Sequence, residues 1–222
     1  MRSLKGSLPA AKPARLALLV TATIGLVSAV ACLADLPDSA VTLDQVTRGR
    51  FLVVSHDCGG CHNAPSANDD PRSARWLQGY TPDYGPPFQI GPFNTYPKNL
   101  TPDMGTGIGK FSPRQIFNAL RYGLDPDNTP DVVITSMTPG QGNFPATPYY
   151  LAPPMPWPAW RQMPDTDLWD IVAYLKHGIK PVSNLVPASG DPSDHWASGY
   201  TPDLIGLYPL PPYPAAGEQF QP

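Results

Sequence analysis

Charge is scarce in this chain: 15% of its 222 residues are charged. Beyond residue 31 only 11 basic residues face 18 acidic ones, a net charge of −7. That excludes a nucleic-acid surface built on excess positive charge. Cysteine is scarcer still, with three. The longest uncharged apolar stretch, residues 16–31, falls short of the roughly 20 residues that span a membrane. Apolar residues still make up 41%, which excludes disorder throughout, and the length suits one domain. Proline is abundant, with 31. It breaks helices and fixes extended or turn conformations, so the expected fold is a helical core with long irregular excursions.

The chain opens like an export signal. Arg2, Lys5, Lys12 and Arg15 precede the apolar stretch, and the small residues Ala29-Val30-Ala31 close it. Ala29-Val30-Ala31-Cys32 also resembles a bacterial lipobox, in which Cys32 would carry a lipid anchor. Cleavage after Cys32-Leu33-Ala34 is the alternative. The expected organisation is a signal over 1–31, a linker over 32–42, one domain over 43–181 and a proline-rich extension over 182–222. The product is expected in the periplasm, attached to a membrane if Cys32 is lipidated or the apolar segment is retained.

Three helices are legible. Leu43, Val46, Gly49, Arg50 and Val53 recur at helical spacing over 43–55. Ser112, Pro113 and Gln115 form a cap, first-turn proline and capping box for a helix over 112–122, and Gly123 stops it. Leu168, Ile171, Val172 and Leu175 form an apolar stripe over 166–177, with Asp165 or Thr166 as cap. Residues 63–110 and 124–160 read as loop, with turns at the Thr-Pro-Asp triplets. Residues 182–222 have no period and are expected to wrap the surface or trail away.

Cys58-Gly59-Gly60-Cys61-His62 carries the chemistry. Cys-x-x-Cys-His is the attachment signal for a c-type haem. Two thiols about a turn apart add to the two porphyrin vinyl groups, and the adjacent histidine ligates the iron. Gly59 and Gly60 are expected to keep bulk away from the ring. A zinc site would need a fourth ligand from His56, His177, His195 or a carboxylate. A thioredoxin-like redox pair would need a strand before the motif, and none is legible.

Met104, Met137, Met155 and Met163 are the candidate sixth ligands. Met155 stands out by its setting: Pro153-Pro154-Met155-Pro156-Trp157 is rigid and poor in backbone N–H groups. Trp157, Trp160 and Arg161 can hydrogen-bond haem propionates. Arg121 can do the same, or have a surface or helix-end role.

With these residues in view, the chain resembles a class I c-type cytochrome. More narrowly, it is similar to one module of the cytochrome c subunits of bacterial membrane-bound alcohol, aldehyde and sugar-acid dehydrogenases. The matching pieces are Arg48-Gly49-Arg50-Phe51, Cys58–His62, Asn99-Leu100-Thr101-Pro102-Asp103, Thr106-Gly107-Ile108-Gly109, Ala119–Gly123, Met155-Pro156-Trp157, and Asp167-Leu168 leading to Ala173–Lys176. Those subunits usually carry three haem motifs; this sequence carries one. The resemblance implies an all-α, cytochrome c-like fold of three main helices around one covalent haem. It implies that His62 and Met155 are the iron ligands and that the first and last helices cross at Gly49 near Tyr174. The loops at Asn99 and Thr106 would cover the haem edge. The implied function is single-electron transfer, without catalysis, between a dehydrogenase or oxidase partner and the respiratory chain. The alternative is five-coordinate haem that senses a small molecule or acts on peroxide.

Overall fold

A computed structural model describes residues 41–63, 69–190, 195–212 and 214–219. The expected signal over 1–31, Cys32 and the linker up to residue 40 lie outside the described residues. Among the described residues, no helix is long and apolar enough to cross a membrane.

Among the described residues, the three longest helices are α1 (Leu43–Ser55), α3 (Pro113–Tyr122) and α5 (Asp165–Ala173). Thr42 starts α1 with a complete capping box: Gln45 N–H donates to the Thr42 hydroxyl at 3.2 Å, and Thr42 N–H donates to the Gln45 carboxamide at 2.9 Å. Ser112 and Gln115 do the same for α3, and Gly123, at φ 68°, ends it in the left-handed conformation. Shorter helices are α2 (Cys58–His62), α4 (Trp157–Trp160) and α6 (Pro202–Ile205).

The core forms where the apolar faces of these helices meet. Leu52 and Val53 of α1, Ile116, Phe117 and Leu120 of α3, and Leu168, Ile171 and Val172 of α5 are buried together with Cys58, Trp76 and Leu77. Phe117 and Trp169 stack with centroids 4.5 Å apart. α1 and α5 approach so closely at Gly49 that a Cβ there would lie 1.8 Å from the Asp170 carbonyl oxygen and 2.8 Å from the Tyr174 Cβ. Only glycine permits that crossing, and its place beside Tyr174 is the one the resemblance implies.

Four expectations need correction. The stretch 63–110 is not all loop. Strands β1 (Phe88–Ile90) and β2 (Phe93–Thr95) pair antiparallel, with Ile90 opposite Phe93, so the molecule is not strictly all-α. Three-residue strands amid proline and glycine leave no alternation to read. The last helix begins at Asp165 behind Pro164, and neither Asp165 nor Thr166 caps it with a side chain. It ends as α-helix at Ala173 and continues as a wider π turn over Tyr174–Gly178. Arg121 is not at the surface: it is buried in the last turn of α3.

The tail does not trail away. Val182 N–H donates to the Thr101 hydroxyl at 3.0 Å, and the Asn184 carboxamide donates to the Gln78 and Tyr80 carbonyls at 2.7 and 2.8 Å. Further on, Trp196 is buried and packs edge-on against Phe93 of β2.

Candidate cofactor site

The attachment motif forms its own short helix, α2. Asp57, at φ 56°, is its N-cap, and the carboxylate accepts from Gly60 N–H at 3.1 Å. A Cβ on Gly60 would fall 2.4 Å from that carboxylate; one on Gly59 would meet the side chains of Asp69 and Asn63 at 2.5 and 2.6 Å. Both glycines are therefore hemmed in by the protein itself, a requirement distinct from clearance for a ring.

Cys58 is buried and Cys61 partly exposed, and neither is in a disulfide. Burial, with the nearby Asp57 carboxylate, pushes the Cys58 thiol up to about 12 and raises Cys61 as well. Among the described residues, no three His, Cys, Asp or Glu side chains converge on a metal-sized point. That does not suit zinc, which needs four convergent ligands.

His62 is buried, and its Nδ1 lies 2.7 Å from the Lys98 carbonyl oxygen. A carbonyl only accepts, so Nδ1 carries the hydrogen and Nε2 keeps a lone pair. Burial lowers the pKa of the imidazole, partly opposed by the Lys98 bond, so the ring is neutral at neutral pH. The His62 carbonyl accepts from Gly79 N–H at 2.7 Å. The chain segments at 79 and 98 thus grip the histidine through its backbone and its ring.

Met155 lies in the loop before α4, half-buried and packed against the main core, as is Met163. Met104 is 69% exposed. Trp157 is buried and stacks parallel to Tyr150 with centroids 5.7 Å apart. It also fills the space beside Gly123, where a Cβ would meet its ring at 2.1 Å.

The polar candidates are engaged by the protein. Asn99 donates to the Val182 carbonyl at 2.8 Å and the Thr106 hydroxyl at 3.2 Å, and its carbonyl oxygen accepts from Thr101 N–H and hydroxyl at 2.9 and 2.8 Å. Arg121 donates to the Arg161 carbonyl and the Asp165 carboxylate. Arg161 Nη2 donates to the carbonyls of Ile205 and Gly206 at 2.9 and 2.7 Å. Its buried Nε has no hydrogen-bond partner among the described residues.

Sequence reasoning missed several supports. Asn63 links the motif to the loop behind it: its carbonyl oxygen accepts from Leu77 N–H at 2.8 Å, and its amide donates to Asp69 at 3.0 Å. Trp76 donates to the Tyr174 hydroxyl at 3.0 Å. The Lys98 contact is made by a backbone carbonyl and leaves no signature in residue type. Asn63 adjoins the motif, and that adjacency was its one available signal.

No family model matches the chain. It is similar to the fructose dehydrogenase cytochrome subunit of Gluconobacter japonicus, 28% identical over 142 residues, 64% of this chain and 23% of that protein. It is 26% identical over 195 residues to the gluconate 2-dehydrogenase cytochrome c subunit of Pantoea cypripedii, covering 84% and 37%. With the alcohol dehydrogenase (quinone) cytochrome c subunit of Komagataeibacter europaeus it shares 29% over 153 residues, covering 68% and 25%. The chain thus spans between about a quarter and just over a third of the length of the curated relatives it matches. The resemblance read from the motifs and these relatives agree: the chain is similar to cytochrome c subunits of dehydrogenases.

Proposed function

We propose that this chain is an electron carrier with one covalent haem c, joined through Cys58 and Cys61 and ligated by His62 and Met155. The observation that carries the proposal is the buried His62 in a Cys-x-x-Cys-His helix, its Nδ1 committed to the Lys98 carbonyl. Metal-ligating histidines commonly donate their second nitrogen in this way, which fixes the tautomer and aims the ring. When bound, haem supplies a one-electron couple, and thioether ligation raises its potential.

The protein residues supply position and exclusion. Lys98 orients His62. Asn99 acts through loop shape: it ties Thr101 and Thr106 to the tail and so holds the segment that presents the Lys98 carbonyl. Ala152 to Pro156 bring no charge near Met155, which favours the thioether over water. The spare Nε of buried Arg161 supports its reading as a partner for a propionate, with Trp157 and Arg121 beside it in the same role. With His62 and Met155 both holding the iron, no position would be left for substrate, so the chain would carry electrons and not act as a catalyst. Its partners are proposed to be a dehydrogenase and a respiratory-chain acceptor. Its place is proposed to be the periplasm, held at the membrane through Cys32 or the apolar segment.

The test is maturation in a host that attaches c-type haem. The denatured, acetone-washed polypeptide should stay red, and the Cys58→Ala/Cys61→Ala variant should be colourless; a colourless wild-type chain refutes the proposal. Met155→Ala should remove the weak far-red methionine–iron band of the ferric protein and lower the potential. A band that survives transfers the ligand role to Met163, Met137 or Met104.

A further inference from the structure

The segment that presents Met155 cannot hold itself. From Ala152 to Pro156 it has no side chain able to donate or accept a conventional hydrogen bond, and three of its five residues are proline. One internal bond closes a turn, from Met155 N–H to the Ala152 carbonyl at 2.9 Å. Its position therefore depends on the packing of Met155 against the core and on what grips its two ends.

Tyr200, from the C-terminal tail, reaches both. Its hydroxyl donates to the Leu151 carbonyl at 3.1 Å, at the start of the segment. Its ring lies edge-on to Trp157, at the other end, with centroids 4.9 Å apart. The tail then continues across the residues that follow. Arg161 holds the carbonyls of Ile205 and Gly206, and Gln162 donates to the Leu207 carbonyl at 2.8 Å and accepts from Leu210 N–H at 3.1 Å. The Tyr208 ring lies within 5.4 Å of the Arg121 guanidinium and 5.6 Å of that of Arg161.

We propose that Tyr200 is a positioning residue: with the strap formed by residues 200–210, it holds the Met155 segment against the cofactor and keeps external ligands out. The inference rests on the reading of Met155 as an iron ligand. A thioether is a weak ligand, so a segment free to swing leaves the iron open to cyanide or imidazole, whereas a clamped one does not.

The test uses ferric holoprotein and two readouts, the far-red band and the rate of cyanide binding. Tyr200→Ala should bind cyanide at least tenfold faster than wild type and lose the far-red band at a lower temperature. Tyr200→Phe keeps the ring and loses the hydroxyl, and should fall between the two. A full chain ending at residue 199 should match or exceed Tyr200→Ala. If Tyr200→Ala does not accumulate, Tyr200→Phe decides, with an expected increase of about threefold in cyanide rate. Wild-type cyanide rates and an unchanged band in these variants, while Met155→Ala has lost its band, overturn the positioning role alone. A band that survives Met155→Ala overturns the ligand assignment and the strap with it.

Discussion

The crossing of α1 and α5 and the tail from residue 182 hold the chain by opposite means. At the crossing, Gly49 lets two backbones touch, and Leu52, Val53, Leu168 and Val172 bury apolar surface around the contact. The tail buries little of that kind. Val182, Asn184, Tyr200 and Leu207 are held through hydrogen bonds, many of them between a side chain and a backbone carbonyl. Apolar packing is cooperative, whereas single polar bonds each contribute about 1 kcal/mol and fail one at a time. The site lies between the two regimes: His62 belongs with the core, and Met155 sits in a segment whose ends the tail grips.

The difference is sharpest under mutation. Gly49→Val forces the two backbones apart and should lower unfolding free energy by about 3 kcal/mol in a urea titration. A variant as stable as wild type would mean that the crossing is not the keystone. Arg121 touches both regions: it binds Asp165 of α5, and the Tyr208 ring of the tail lies 5.4 Å from its guanidinium. Arg121→Met should lose about 2 kcal/mol, less than the roughly 3–5 kcal/mol of a fully buried pair, because Asp165 is 43% exposed and can turn to water.

Asn184→Ala removes two donors from the Gln78 and Tyr80 carbonyls and should lose about 1–2 kcal/mol. Amide exchange should accelerate around residues 182–184 while the amides of α1 and α5 stay protected; equal acceleration in both would erase the distinction. The smallest effect is electrostatic. Hydrogen bonds from Arg75 and then Thr81 hold the exposed Asp83 carboxyl well below the usual carboxylate range. A depressed folded pKa stabilises above the ordinary carboxylate value, and that contribution disappears as pH falls toward the folded value. Asp83→Asn should flatten this part of the acid-unfolding curve slightly, and water screening keeps the change small.

Much of the core was legible because helices repeat. The stripe through Leu168, Ile171, Val172 and Leu175 and the capping box at Ser112 announce themselves at fixed spacings. The hairpin at Phe88–Thr95 did not, since three residues per strand are too few for a pattern. Asn99 stood out in sequence through its family likeness, yet its polar atoms turn out to be engaged by Thr101, Thr106 and Val182. Tyr200 is one of ten tyrosines in the chain, and the Thr-Pro-Asp triplet after it marks a turn, not a contact with Leu151.

The sequence by itself determined the Cys-x-x-Cys-His motif and the ends of two helices. Both depend on residues within a few positions of each other, where covalent spacing and local hydrogen bonds dictate geometry. Tertiary structure alone decided which carbonyl orients His62, where the tail runs and what braces the Met155 segment. Those contacts join positions tens of residues apart, such as His62 with Lys98 and Leu151 with Tyr200. Chain separation says nothing about which distant backbone oxygen will face a given donor until the core has packed.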